Sequence, residues 1–521
     1  MPAARRAPIL AAVAALLVWG AACSGAPGAP GGASGSIREP AVAGQFYPRE
    51  PERLRAAVRL YLEDAVPARA GRPIALVVPH AGLPFSGQIA ADGFRQAIAE
   101  RPDVVVVLGT HHTVPDFAGV ALHPGSGFRT PLGVVAIDAG VVRELLEADR
   151  AFRSDSTPHA REHSIEVELP FVQTAVPGAR IVPAVVGTED PALCARAGEA
   201  LARVLRGRRA LIVASSDLSH FPAYEDAIAS DHAILASIAS LDCDRLVRTI
   251  AGQMTAGRRG LETCACGEGA VLVAMAAAKA LGATHGIVVS AANSGDTSIG
   301  DRSRVVGYGA VALVAGAGPP DTSALEPAPS PGATAGLDVS TGTRLLAFAR
   351  ATLSGYFAGE VLPLPRGLPS ASRRLQGAFV TLRERGELRG CIGHMAEDLP
   401  LGQVVGMMAL AAAFSDTRFP PLEARELPDL SIEISVLTPL RHVRGPEAVV
   451  IGRDGVEIRK SGRAGVFLPE VAVEQGWNRE ALMRNLCLKA WLPPDAWKEG
   501  AELYTFRSEH FGERDRSPER R

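Results

Sequence analysis

The chain has 521 residues, 47% of them hydrophobic, with 54 Lys and Arg against 56 Asp and Glu. That length accommodates two or three domains with substantial cores. The near-neutral charge, without a basic stripe, excludes a nucleic-acid-binding protein held by phosphate contacts.

Arg5 and Arg6 precede an apolar run over residues 7–22, followed directly by Cys23. The run is short for a membrane span and has the layout of a secretory signal. Gly20-Ala21-Ala22-Cys23 resembles a bacterial lipoprotein signal, with Gly20 where a Leu-like residue is usual. The expectation is that 1–22 is a removed signal peptide and that Cys23 is lipidated. The chain would then be an exported envelope protein, held to the membrane by this lipid anchor alone. Residues 23–36 read as a flexible Gly/Ala/Pro/Ser-rich tether. Of the seven cysteines, the six beyond Cys23 lack the spacing of a disulfide framework.

Residues 39–48 read as an extended entry segment, and 52–64 as a helix with Leu54, Ala57, Val58 and Tyr61 at helical intervals. A buried strand over 74–78 runs into Pro79-His80-Ala81-Gly82, and 90–99 is helical. Val104-Val105-Val106-Val107-Leu108 is a second buried strand, ending in Gly109-Thr110-His111-His112. Helix 139–148 follows a turn-rich loop, and Glu162-His163-Ser164 precedes an apolar stretch. Strand 181–186, helix 192–205 and strand 210–214 come next. The last of these leads directly into Ser215-Ser216-Asp217-Leu218-Ser219-His220. Helix 224–241 is followed by Cys266-Gly267 at the start of helix 268–281. Strand 286–290 leads into Asn293-Ser294-Gly295-Asp296, and 305–314 is a closing strand. The alternation predicts a three-layer α/β domain over 37–315. Its polar motifs follow strands, where open α/β sheets place ligands.

Residues 316–340 are rich in Gly, Pro, Ala and Ser and read as a linker. A smaller α+β unit over 341–511 opens with helix 345–357. Strand 377–382, a turn at Gly386-Glu387, the stretch Leu388-Arg389-Gly390-Cys391-Ile392-Gly393, helix 404–413 and strand 430–437 follow. The Arg/Glu-rich residues 512–521 are expected to be a disordered tail.

A mononuclear metal site needs two to four ligands converging from separate loops; neutral imidazoles suit iron, copper and zinc, and a thiolate favours softer metals. His80, His111 and Cys266 all lie at element junctions and are the candidate ligands. Cys266 precedes a helix, whose N-terminal dipole favours a thiolate. His163, Asp217 and His220 are candidate acid/base groups, with Asp217 placed to orient His220 as a general base. Each has a plainer reading: a hydrogen-bonded structural histidine, a buried cysteine, a turn-capping aspartate. Hydrolysis with Ser215 or Ser216 as nucleophile is a third reading, but neither serine lies in a Gly-x-Ser-x-Gly elbow.

Several stretches in order resemble the Memo family: Ala43-Gly44-Gln45-Phe46-Tyr47-Pro48, Pro79-His80-Ala81-Gly82, Gly109-Thr110-His111-His112, Arg129-Thr130-Pro131-Leu132-Gly133, Glu162-His163-Ser164, Ser215 to His220 and Cys266-Gly267. The resemblance covers about residues 37–315. It implies a fold similar to class III extradiol dioxygenases, which are non-heme iron enzymes. It also implies metal ligands at His80, His111 and Cys266, with His163, Asp217 and His220 in the pocket. A thiolate where those dioxygenases use a carboxylate puts ring cleavage in doubt. Iron(II) is the expected metal and copper the alternative. The expected function is oxidation of a small-molecule substrate; the competing one is a non-enzymatic iron or copper carrier or scaffold of the envelope.

Leu388 to Gly393, with Phe414-Ser415-Asp416-Thr417-Arg418-Phe419, Phe467-Leu468-Pro469-Glu470-Val471-Ala472 and Leu486-Cys487-Leu488-Lys489-Ala490, resembles the AMMECR family over about 341–511. Arg389 and Cys391 are the candidate ligand contacts there; the plainer reading is that Cys391 packs inside. The two resemblances together imply an AmmeMemoRadiSam system protein, linked in function to a radical-SAM partner. That partner is not fused here, since no Cys-x-x-x-Cys-x-x-Cys motif occurs.

Overall fold

The structure, a computed structural model, describes residues 35–114, 117–297, 301–325, 337–359, 362, 365, 368–397 and 399–513. The expected signal peptide, Cys23 and nearly all of the tether lie outside the described residues. No helix among the described residues is long and apolar enough to cross a membrane.

The strands of the first unit are β1 (Ile37–Arg38), β2 (Pro73–Val78), β3 (Val104–Gly109), β4 (Val120–Leu122), β5 (Gly127–Thr130), β6 (Gly133–Ala136), β7 (Phe152–Ser154), β8 (Arg180–Val186), β9 (Ala210–Ser215), β10 (His285–Asn293) and β11 (Gly307–Val314). Eight of them form one sheet in the order β10-β11-β2-β9-β3-β8-β4-β7, and β1-β5-β6 form a small second sheet. The centre of the large sheet, β2, β9, β3 and β8, is parallel. β11 adds to β2 in the antiparallel sense.

The β-branched run of β3 explains its place. Val104 to Leu108 are all buried, as a parallel strand covered on both faces must be. Burying each such side chain contributes about 1.5–3 kcal/mol before the entropy of ordering it is subtracted. One helical group comprises Pro51–Glu63, Leu83–Arg95 and Leu169–Ala175, which contact one another; a second comprises Pro191–Leu205 and Glu268–Ala280. The expected alternation of strands and helices is thus present. The helix expected over 90–99 starts earlier, at Leu83, with a proline in its first turn, where the missing N–H costs nothing.

The second unit contains β12 (Ala378–Glu384), β13 (Glu387–His394), β14 (Leu430–Leu437), β15 (Arg441–Val443), β16 (Gly455–Lys460), β17 (Arg463–Phe467), β18 (Glu502–Phe506) and β19 (Ser508–Gly512). They form two antiparallel sheets, β13-β12-β14-β19 and β15-β18-β16-β17. Each sheet has its own core. Helices Val339–Ala358 and Leu401–Phe414 cover the first around Leu345, Val380, Val404 and Ile434, and helix Arg479–Lys489 covers the second around Ile458, Met483 and Leu486. The α+β reading is therefore correct, but one expected unit holds two cores.

Two boundaries differ from expectation. Within the expected linker, Asp321 exchanges backbone hydrogen bonds with Gly286 and Val288, so the first unit continues past residue 315. The strand β19 includes Gly512, and Glu513 pairs with Arg350, so the expected tail starts two residues too early. Residues 326–336 and 514–521 lie outside the described residues. The Gln403 side chain donates to the Gly295 carbonyl, joining the second unit to the loop after β10.

Candidate metal centre

Adjacent parallel strands end at one edge of the sheet, so the residues just past them converge. His80 follows β2, His112 follows β3 and Asp217 follows β9. Cys266 arrives from the other direction, just ahead of helix Glu268–Ala280, and its N–H donates to the Asp217 carbonyl at 3.3 Å. Gly267 makes this approach feasible: a Cβ there would stand 2.5 Å from the Ser215 carbonyl oxygen and 2.8 Å from Ser216 Cβ.

Two overlapping groups of donor atoms share His80. One is His80, His112 and His163; the other is His80, Asp217 and Cys266. Within each, the donor atoms lie within 4.8 Å of one another. The Cys266 sulfur is 3.3 Å from His80 Nε2. The His80 ring centroid is 5.2 Å from that of His112 and 5.4 Å from that of His163. His112 and His163 stack at 4.5 Å, and Phe46 from the entry segment closes over His163 at 4.7 Å.

The rings are held by specific partners. His80 Nδ1 lies 2.8 Å from Ser215 Oγ, which in turn lies 2.7 Å from the Ser164 carbonyl and 2.9 Å from Glu168. With Nδ1 engaged there, Nε2 is the nitrogen left facing the sulfur. Glu162 performs the same task for His112: Oε2 accepts its backbone N–H at 2.7 Å and Oε1 sits 2.9 Å from its ring Nδ1. Oε1 also accepts the N–H groups of His163 and Ser164, both at 2.8 Å. Behind this loop, buried Arg38 pairs with Glu166 and donates to the carbonyls of His159 and Glu162. Tyr47 donates to the same Glu166.

Burial, reinforced by His112 and His163, drives the His80 pKa well below its ordinary value, so the ring is neutral. His163 is pushed down to about 4, chiefly by burial and then by His112. Burial alone would raise Glu162, but the hydrogen bond from His112 and the charges of His112 and His163 hold it well below the usual carboxylate range. Burial, and then the charge of Asp217, raises the Cys266 thiol. Two neutral imidazoles and a buried sulfur beside a fixed carboxylate are a donor set that a divalent metal would complete.

The structure gathers Cys266, His163 and Asp217 around His80, and it places His111, His220 and the two serines as follows. His111 is not in either donor group. Its ring lies 6.5 Å from Phe117 with Nδ1 buried and unpartnered, and His112 takes the place facing His80. His220 is not oriented by Asp217. Its Nδ1 lies 3.0 Å from the Leu218 carbonyl, while Asp217 Oδ1 accepts the N–H groups of His80 and Ala81; burial raises the Asp217 carboxyl, with His220 acting in the opposite direction. Ser215 and Ser216 are fully buried, and Ser216 Oγ is taken up by Gly267 N–H and the Asp217 carbonyl. A hydrolytic nucleophile must face substrate, and neither serine is accessible.

In the second unit, Arg389 is committed elsewhere. It forks onto Glu426 and donates to the carbonyls of Pro420 and Pro421. Cys391 is half-buried on the edge strand β13. Sequence reasoning gave no role to Glu162, Glu168 or Arg38. The one available signal was an acidic residue directly before His163.

Comparison with known proteins places these observations. A family model described as Memo-like protein matches residues 38–312, and one described as AMMECR1 matches residues 346–511. A curated MEMO1 family protein of Aquifex aeolicus is 37% identical over 274 residues, covering 52% of this chain and 97% of that protein. Another, from Methanopyrus kandleri, is 36% identical over 287 residues, covering 53% and 98%. Among solved structures, an uncharacterized protein from Pyrococcus horikoshii is 35% identical, covers 35% of this chain and 96% of its own, and superposes with a TM-score of 0.34.

Proposed function

The chain belongs to the Memo family, and from that premise we propose that its first unit is a metal-dependent oxidoreductase of a small molecule. The resemblance of the family to class III extradiol dioxygenases favours this reading. The observation that carries it is His80 at the end of a central strand, shared by two donor groups, one with His112 and His163 and the other with Asp217 and Cys266.

His80 and His112 would hold the metal through the nitrogens left free by Ser215 and Glu162, and Cys266 would supply a thiolate. A carboxylate on the far nitrogen is the usual means of fixing a metal-ligating imidazole, which selects His112 over His163. Asp217 spends one oxygen on two backbone N–H groups and serves to fix His80. Iron(II) bound there would supply one-electron redox chemistry with oxygen, and copper is the alternative metal. His163, neutral and stacked beside His112, accepts or donates a proton at the substrate. His220, with Nδ1 engaged by Leu218, keeps Nε2 available as a base. Phe46 limits water entry over His163.

The test is anaerobic loading of the purified full chain with iron(II) or copper, followed by oxygen-consumption assays with catechols and other reductants. Oxygen uptake that disappears in His80→Ala and Cys266→Ser supports the oxidoreductase. Tight metal binding without turnover on any reductant favours the carrier or scaffold instead. We also place the protein at the cell envelope through Cys23, a proposal that Cys23→Ser tests by loss of membrane association.

A further inference from the structure

A buried hydrogen bond joins the two units, and the backbone beyond it leads to the metal centre. Gln403, in the first turn of helix Leu401–Phe414, is 2% exposed and donates its side-chain amide to the Gly295 carbonyl. Gly295 is the middle of the turn Ser294–Asp296, and that turn has no slack. Asn293 Oδ1 accepts the Gly295 N–H at 2.9 Å, Asp296 accepts the Asn293 N–H at 2.8 Å, and the Tyr224 hydroxyl donates to Asp296 at 2.5 Å. A Cβ at Gly295 would stand 3.0 Å from Asn293 Oδ1, from the Tyr224 ring and from Val305.

Ser294 is tied twice to Val306. Its N–H donates to the Val306 carbonyl at 2.9 Å, and its Oγ accepts the Val306 N–H at 3.0 Å. Val306 lies antiparallel to His220, which pairs with Thr263 on its other side. The flanking bonds run from the Leu218 N–H to the Gly307 carbonyl at 2.8 Å and from the Phe221 N–H to the Val305 carbonyl at 2.7 Å. On the far side the His220 N–H donates to the Thr263 carbonyl at 3.0 Å, three residues ahead of Cys266. The path from the second unit is thus Gln403, Gly295, Ser294, Val306, His220 and Thr263. Every step is a hydrogen bond, a peptide bond or a backbone pairing.

The end of that path is strained. Phe221, next to His220, sits at φ +70°, a left-handed conformation that a bulky residue keeps only where its surroundings enforce it. Val305 holds its N–H, and the Arg304 guanidinium lies 3.9 Å from the centre of its ring. Both holding residues directly precede Val306, on the side that the second unit braces.

We infer that Gln403 is a positioning residue for the metal centre: the second unit braces the turn after β10 and thereby holds the strained segment that presents His220; this rests on His220 acting as the base proposed above. Coupling between separate units travels through such contiguous hydrogen-bonded elements.

The test is hydrogen–deuterium exchange of the metal-free full chain, read by peptide mass, in the parent, Gln403→Met and Gln403→Glu. Methionine keeps a similar shape and removes the donor; glutamate sets an acceptor against the Gly295 carbonyl. Exchange should quicken several-fold over 293–297, 305–307 and 218–222 as one buried hydrogen bond is lost. The effect should be larger in Gln403→Glu than in Gln403→Met, while β3 and β8 keep the parent rate. In parallel, iron(II)-loaded variants should keep the parent's metal content while oxygen uptake falls, because His220 is not a ligand. If the parent itself takes up no oxygen, the oxidoreductase reading fails and the exchange result alone decides the role of Gln403. Faster exchange confined to 293–297, equal quickening in all strands, or no change in either variant overturns the inference.

Discussion

Glu162 grips His112 at two points, its backbone N–H at 2.7 Å and its ring Nδ1 at 2.9 Å. The residues are 50 apart in the chain, so the grip is a product of the fold. It fixes both where the imidazole sits and which nitrogen is left to bind. Glu162→Gln keeps the shape but replaces a charged acceptor with a neutral amide. Metal affinity, measured by competition with a chelator, should fall about 10–100-fold, while His111→Ala leaves it unchanged.

Arg38 and Glu166 form a buried ion pair behind the same loop. Removing one partner leaves a buried charge without compensation. Arg38→Met should destabilise the chain by about 3–5 kcal/mol, read from urea unfolding. The double variant Arg38→Met with Glu166→Gln should recover part of that loss.

Gly267 lets the Cys266 turn sit against β9. The added methyl of Gly267→Ala meets backbone and the Ser216 side chain, so the turn must shift. The expected cost is about 1–3 kcal/mol in thermal or urea unfolding, with weaker metal binding because Cys266 moves away from His80.

Asp231 gives the chain a pH-dependent stability. Burial raises its pKa to about 7 from an ordinary value of 3.8, against the opposing bond from the Ser219 N–H. The folded chain therefore holds this proton more tightly than the unfolded one. The resulting stability is fully present below about pH 4 and is lost as pH rises toward 7, at about 1.4 kcal/mol per unit. Asp231→Asn should be more stable than the parent at pH 8, and this advantage should vanish near pH 4. An equal difference at both pH values would remove Asp231 as the cause.

Much of the first unit was legible because its signals are local. The valines of β3 could only be a buried strand, and polar motifs directly after β2, β3 and β9 had to meet at one edge. Which of His111 and His112 lies beside the His80 ring was not legible. Strand alternation ends at Gly109, and the direction of the His112 ring past that point depends on Glu162, distant in sequence. Asp217 looked like the partner of His220 because it lies three residues away, yet the fold turns its carboxylate toward the N–H groups after β2. The division of the second unit into two cores left no mark, since no low-complexity stretch separates β14 from β16. Arg389 stood out beside Cys391 in the motif, but its donors are consumed by Glu426 and two proline carbonyls. Arg418, from a separate stretch, is the arginine that reaches the Cys391 carbonyl.

The central claim is that His80, His112 and Cys266 form one metal centre. Its most direct test is the metal content of the full chain purified under reducing conditions and loaded anaerobically with iron(II), compared among the parent, His111→Ala and His112→Ala. The expected result is a full complement of metal in the parent and in His111→Ala, and its loss in His112→Ala. Undiminished metal in His112→Ala, or loss in His111→Ala, would contradict it.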